Sequence, residues 1–401
     1  MKIAMPRFSL VDVLVPLLAV GTAMLVGMLL LLLSGFNPFQ AYGSLIQGAI
    51  GSPKNIARTI ILATPIILTG LSVMVAFRAG LFNIGATGQL LAGLMAGGWV
   101  AINISFPESM NTHGPLAPAL NITWAQFIHI PLVLGAAAAA GAAWGALAGF
   151  LKAVRGAHEV ITTIMLNYVA IKFGEFLLRP GGALSSAGSN PVSKPFEPSS
   201  GFPYLAVDSF TQIHLGTVIA LVSACAVSFL ISRTALGYQM RAVGLNPDAA
   251  EYGGINVARI TMISMAIAGA LAGLAGASIA VGDPPALISK SDFSAIQAGF
   301  TGIAVALLGR NTAFGVVCAG LLFGALDAGA LEAQFSGGLP PGLGTKLIGV
   351  IQGLIILFVG ADMLFRKLAE RAAAAIGPSQ PPAGADTPPA NPQVASGEAA
   401  A

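Results

Sequence analysis

Charged side chains are scarce in this sequence: 9% of 401 residues, with 19 Lys and Arg against 16 Asp and Glu. Soluble domains carry about 25%, so this chain cannot cover a water-facing exterior. A net charge of +3 is too small to point to nucleic acid. The four histidines, His113, His129, His158 and His214, are scattered, and neither H-E-x-x-H nor a Cys/His cluster occurs, which argues against a zinc site. No G-x-x-x-x-G-K-[ST] is present, so the chain does not itself bind ATP through a P-loop. D-D-x-x-D and a Gly-x-Ser-Gly with a partner His are also missing. Their absence argues against metal-dependent lipid transferases and intramembrane serine proteases. The two cysteines, Cys225 and Cys318, fall inside apolar runs and read as inert core thiols. No catalytic residue, metal or cofactor of the chain's own is expected.

What the sequence has in abundance is apolar length. It is 55% hydrophobic with a mean hydropathy of +0.82. Apolar runs long enough to cross a hydrocarbon core of about 30 Å recur along it. They predict an all-α polytopic membrane protein with about ten transmembrane helices, near 11–33, 59–77, 84–102, 127–150, 160–178, 214–231, 260–280, 295–308, 312–330 and 347–363. The eighth is too short to cross unaided. Residues 1–368 then form one transmembrane domain. The Ala-, Pro- and Ser-rich tail 377–401 is expected to be disordered. Glycines four apart (Gly93/Gly97, Gly141/Gly145/Gly149, Gly269/Gly273, Gly320/Gly324, Gly349/Gly353) make flat faces for close helix packing, within one subunit or across a dimer seam.

With the N-terminus in the cytoplasm, alternation assigns twelve Lys and Arg to cytoplasmic segments and six to the other side. The positive-inside rule thus favours both termini in the cytoplasm. Long outer loops, Asn103–Gln126 and Arg179–Ile213, serve as connectors or docking surfaces. Ion-coupled carriers usually need ionisable groups within the membrane. Here Lys172 and Glu175 are placed to pair with each other, and Asp327 and Glu332 lie near the outer end of the ninth span. Coupling to an ion gradient is the weaker reading, and the energy source is expected on another chain.

The longest internal cytoplasmic stretch runs from Arg233 to Arg259. Within it Asn246 is a good N-cap, Pro247 suits the first helical position, and Asp248 and Glu251 favour the positive end of the helix dipole. Ala249 and Ala250 propagate a short helix that Gly253–Gly254 stop. Arg241-Ala242-Val243-Gly244, Asn246-Pro247, Ala249-Ala250 and Gly253-Gly254-Ile255 together resemble the coupling-helix signature of bacterial ABC-importer permeases of the ribose, simple-sugar and nucleoside branch. Phe77-Arg78-Ala79-Gly80-Leu81-Phe82-Asn83-Ile84-Gly85 with Gly88-Gln89, and His158 through Tyr168, resemble two further motifs of that branch, closest to its nucleoside type. Thr87 departs from the acidic residue found in the family.

The resemblance implies a type II importer permease fold in the bacterial inner membrane. It also implies an ATPase subunit that holds ATP and magnesium, a second permease subunit, identical or not, and a periplasmic or lipid-anchored substrate-binding protein. The solute would be a nucleoside or simple sugar. Residues 82–93 echo residues 293–304, as inverted-repeat halves would, and paired glycine-interrupted segments point to a transport path. Asn83, Gln89, Asn167, Gln297 and Thr301 are therefore expected to line it, with Phe82 and Tyr168 as walls. For each amide, interhelical hydrogen bonding is the alternative.

Overall fold

The computed structural model describes residues 10–112, 122–186, 190–206, 212–282, 287–289, 293, 298–335, 340 and 342–360. The expectations for Gln297 and for the tail lie outside them. Thirteen α-helices follow in chain order: α1 (Leu10–Leu33), α2 (Pro38–Ile50), α3 (Pro53–Arg78), α4 (Ala86–Asn103), α5 (Trp124–Arg155), α6 (Glu159–Leu177), α7 (Leu215–Arg233), α8 (Ala235–Leu245), α9 (Pro247–Tyr252), α10 (Val257–Val281), α11 (Ala298–Leu308), α12 (Ala313–Phe335) and α13 (Leu343–Gly360). Seven of these, α1, α3, α5, α6, α7, α10 and α12, are long and apolar enough to cross a membrane. Helix α4 carries Thr87, Gln89 and Asn103 and sits inside the bundle among α5, α6 and α10, so it needs no apolar exterior.

Glycine sets the packing. The most extensive contact is between α5 and α10. There Gly141 lies against the Gly269 carbonyl and Gly273, and Gly145 against the Met265 carbonyl. Gly93 of α4 meets Gly273 from the other side, so three helices converge on one residue without a side chain. Gly320 and Gly324 seat α12 on Ile67 and Ala63 of α3. These faces are used within the chain. Gly349 and Gly353 of α13, in contrast, have nothing within reach of an added Cβ.

Helix α3 is the axis of the assembly, with Thr64, Thr69 and Ser72 fully buried. The hydroxyls of Thr64 and Thr69 return hydrogen bonds to Ile60 and Pro65, which lets polar residues sit at membrane depth. Helix α2 does not appear among the expected spans, because its 13 residues are too few to cross. It folds back on α12, capped by the Asn37 side chain and tied to α3 where Thr59 donates to the Ala49 carbonyl (2.8 Å).

The end of the bundle at the C-termini of α4 and α10 is covered by the chain between α6 and α7. Glu197 N donates to the Ala101 carbonyl (2.9 Å) and Phe202 N to the Val281 carbonyl (3.0 Å). A short hairpin of β1 (Tyr204–Ala206) and β2 (Gln212–His214) leads into α7. Beneath this cover, buried His129 meets the Ser199 hydroxyl at 2.8 Å.

One expectation is corrected. Cys225 and Cys318 are exposed on the surfaces of α7 and α12, not buried in a core. In a membrane protein the outer surface is as apolar as the inside, so an apolar run does not tell the two apart.

Candidate functional site

Helices α8 and α9 lie at the opposite end of the bundle, at the C-terminus of α3. Thr234 caps α8 by accepting from Gly237 N (3.0 Å). Asn246 caps α9 by accepting from Ala249 N (3.0 Å), with Pro247 in the first turn, and Asn256 caps α10 by accepting from Arg259 N (2.9 Å). Gly254 takes φ +80°, which lets the chain turn from α9 into α10. Three caps in about twenty residues fix the backbone of this segment, and Ala250 is its buried anchor.

The segment is joined to the membrane helices at one glycine pair. Gly244 packs on the backbone at Arg78, Ala79 and Gly80, and Gly80 has φ +71°. Arg78 then reaches across to the turn between α11 and α12, donating from Nε (3.0 Å) and Nη2 (2.7 Å) to the Asn311 carbonyl. Arg310 and Asn311 both hold φ +51° in that turn. The junction thus links α8 to the C-terminus of α3 and, through Arg78, to the turn between α11 and α12. Beside the junction is a cleft of about 790 Å³ lined by Gly80, Lys152, Gly244, Pro247, Glu251 and Asn256 among others.

Outward, the segment shows apolar side chains. Leu245, the last residue of α8, is 88% exposed, and Tyr252, the last residue of α9, is 97% exposed. The surrounding end carries Arg78, Lys152, Arg155, Arg233, Arg241 and Arg259, and Arg241 is near enough to Arg78 for their charges to repel.

Six of the seven residues expected along a solute path are described, and three of them, Asn83, Gln89 and Asn167, meet at the turn between α3 and α4. Asn83 and Gln89, each 1% exposed, exchange hydrogen bonds: Asn83 Nδ2 to Gln89 Oε1 (2.9 Å) and Gln89 Nε2 to Asn83 Oδ1 (3.0 Å). Asn83 Oδ1 also accepts from Gly85 N (3.1 Å). Asn167 of α6 accepts from Gly88 N (2.7 Å) and donates to the Ile84 carbonyl (2.9 Å). These three amides thus hold the non-helical turn between α3 and α4 in place, satisfying backbone that lipid could not. Phe82 and Tyr168 are 38% and 61% exposed, and Thr301 lines a separate groove. The two echoing stretches do touch, with Gly299 of α11 against Thr87 of α4.

Gln89→Leu leaves the Asn83 amide short of partners in a buried site. That should destabilise the protein by about 1–3 kcal/mol, read as a lower melting temperature in detergent. Unchanged melting with reduced uptake would instead put Gln89 in the path of the solute.

Sequence reasoning missed α8, since Gly237 and Gly244 interrupt an otherwise unremarkable stretch. Thr234 followed by Gly237 at the capping distance was the available signal.

Comparison with known proteins agrees with this geometry. Residues 55–360 match the family described as branched-chain amino acid transport system / permease component. The guanosine ABC transporter permease protein NupP of Bacillus subtilis is 38% identical, over 88% of this chain and 94% of its own. The nucleoside ABC transporter permease protein NupB of Lactococcus lactis subsp. cremoris is 36% identical, over 90% and 94%. The glucose ABC transporter permease protein TsgB13 of Haloferax volcanii is 34% identical, over 88% of each chain. No solved structure matches. An ion-coupled carrier does not fit these relatives. With its apolar helices, its buried glycine seams and the absence of a P-loop, the chain belongs to the branched-chain amino acid transport system / permease component family, as a membrane-spanning permease component of an ABC transporter and not an enzyme.

Proposed function

We propose that this chain is a permease subunit of an importer in the bacterial cytoplasmic membrane that moves a nucleoside inward at the expense of ATP held on another subunit. The observation that carries this is the capped α9 helix, with Leu245 exposed before it and Tyr252 exposed at its end, fastened to α3 through Gly80 and Gly244. An ATPase subunit binding ATP and magnesium would cover that surface, and its closure would push α8 against the α3–α4 turn. Arg78, Lys152, Arg155, Arg233, Arg241 and Arg259 at this end support a cytoplasmic position for it, and with it cytoplasmic termini. The opposite end, at the C-termini of α4 and α10, would receive the substrate-binding protein. A second permease, identical or not, would complete the gate.

The nucleoside assignment rests on the 38% and 36% identities to permeases named for guanosine and nucleosides. A simple sugar is the second reading, favoured by the 34% identity to a permease named for glucose. Uptake by the full complex in liposomes, screened across ribonucleosides, pentoses and glucose, tests both. Saturable nucleoside uptake that stops without ATP is expected. Uptake driven by a proton or sodium gradient without nucleotide would sink the reading.

A further inference from the structure

One groove in the membrane-spanning region is lined by an ionisable residue, Asp327. It has a volume of about 870 Å³ and lies among α3, α10, α11, α12 and α13. Its walls include Pro65, Ile66 and Ile279, and its polar groups are Thr301, Asp327, Gln352 and, further out, Lys346. Gln352 is buried and donates from Nε2 to Asp327 Oδ1 at 2.8 Å. None of the described residues donates to Oδ2, and Asp327 remains partly exposed to the groove.

Depth makes this unusual. Asp327 follows the start of α12 at Ala313 by fourteen residues, and Pro65 precedes the end of α3 at Arg78 by thirteen. At about 1.5 Å per residue, both lie roughly 20 Å in from the charged end. A carboxylate at hydrocarbon depth costs about 3 kcal/mol or more, and one amide contact leaves most of its acceptor capacity unused. The structure keeps it facing a cavity large enough for a nucleoside. A carboxylate oxygen accepts two hydroxyl donors at once, which suits the vicinal diol of a ribose or sugar ring. Thr301 can both donate and accept, while Pro65, Ile66 and Ile279 offer an apolar floor for the flat face of the ring or base.

Resting on the importer reading above, we infer that Asp327, oriented by Gln352 and joined by Thr301, is the intramembrane contact for the hydroxyl groups of the transported solute. Gln352 is a positioning residue: it fixes the carboxylate and leaves Oδ2 for the ligand.

The test uses the full complex in liposomes with ATP inside the working compartment, comparing guanosine with 2′,3′-dideoxyguanosine. A site that bonds hydroxyls rejects the analogue lacking them, and a lost bond to a charged group is worth about tenfold or more. The unmodified complex should therefore prefer guanosine by that factor. Asp327→Asn, which keeps size and the Gln352 contact, should bring the ratio to within about twofold by slowing guanosine alone. Thr301→Val should move the ratio the same way by less, and it decides the matter if Asp327→Asn does not assemble. An unmodified complex that carries both equally overturns the inference, as does a ratio that survives Asp327→Asn while both rates fall. In either case ATP-driven uptake would persist, so the importer reading would stand. No ATP-driven uptake of either compound would overturn both.

Discussion

Gly244→Val is expected to lower solute uptake roughly 30-fold while the assembled complex still hydrolyses ATP. A Cβ at position 244 runs into the Arg78 carbonyl and the Gly80 amide, both backbone atoms that cannot rotate away. The valine must lift α8 off the α3–α4 turn. Overpacking of this kind costs about 1–3 kcal/mol, and a 2 kcal/mol bias against the docked arrangement lowers its population roughly 30-fold. Uptake per ATP should fall by a comparable factor. Gly253→Ala is the matched control, since its φ is −76° and an added Cβ comes no nearer than 3.4 Å to the Ala250 carbonyl. Parallel measurement of phosphate release and tracer uptake separates the two variants. Normal uptake by Gly244→Val would show that the glycine junction transmits nothing.

The second large effect is on folding. Gly273→Val places a branched side chain where α4, α5 and α10 converge, against the Ala137 carbonyl, Gly141 and Gly93. Helices this close are held by backbone packing and have no slack to give. Loss of most folded protein from the membrane fraction is expected, seen as aggregation on size-exclusion chromatography. Gly135→Ala on α5 should be silent, because nothing lies within 4 Å of the added methyl. Equal yields of the two variants would contradict the three-helix seam.

These two glycines also mark what was legible in the sequence. The short helix at α9 was readable because its cap, first-turn proline and stopping glycines are local signals, and local chemistry decides such a helix. The seven helices long and apolar enough to cross a membrane were readable from apolar length, whereas α4, α11 and α13, also expected as spans, fall outside that set. Helix α2 was not readable, since 13 residues of mixed polarity carry no membrane signal, and its packing on α12 and its tie to α3 hold it there. Asn83, Gln89 and Asn167 were visible as polar residues in an apolar context. Whether such an amide faces a solute or another amide depends on residues far away in sequence, such as Gly88 meeting Asn167. The Asp327–Gln352 contact spans two helices and could not be foreseen from either alone. The cysteines failed for a different reason, that hydropathy does not separate a lipid-facing side from a core.

On the proposed function, an ATPase subunit seats on α9 and drives the membrane helices from there. A photo-crosslinking amino acid in place of Tyr252, which is 97% exposed, tests it most directly. In the assembled complex the account predicts a covalent product with the ATPase subunit, lost when that subunit is stripped away. A product with the substrate-binding protein, or labelling of lipid alone, would contradict it.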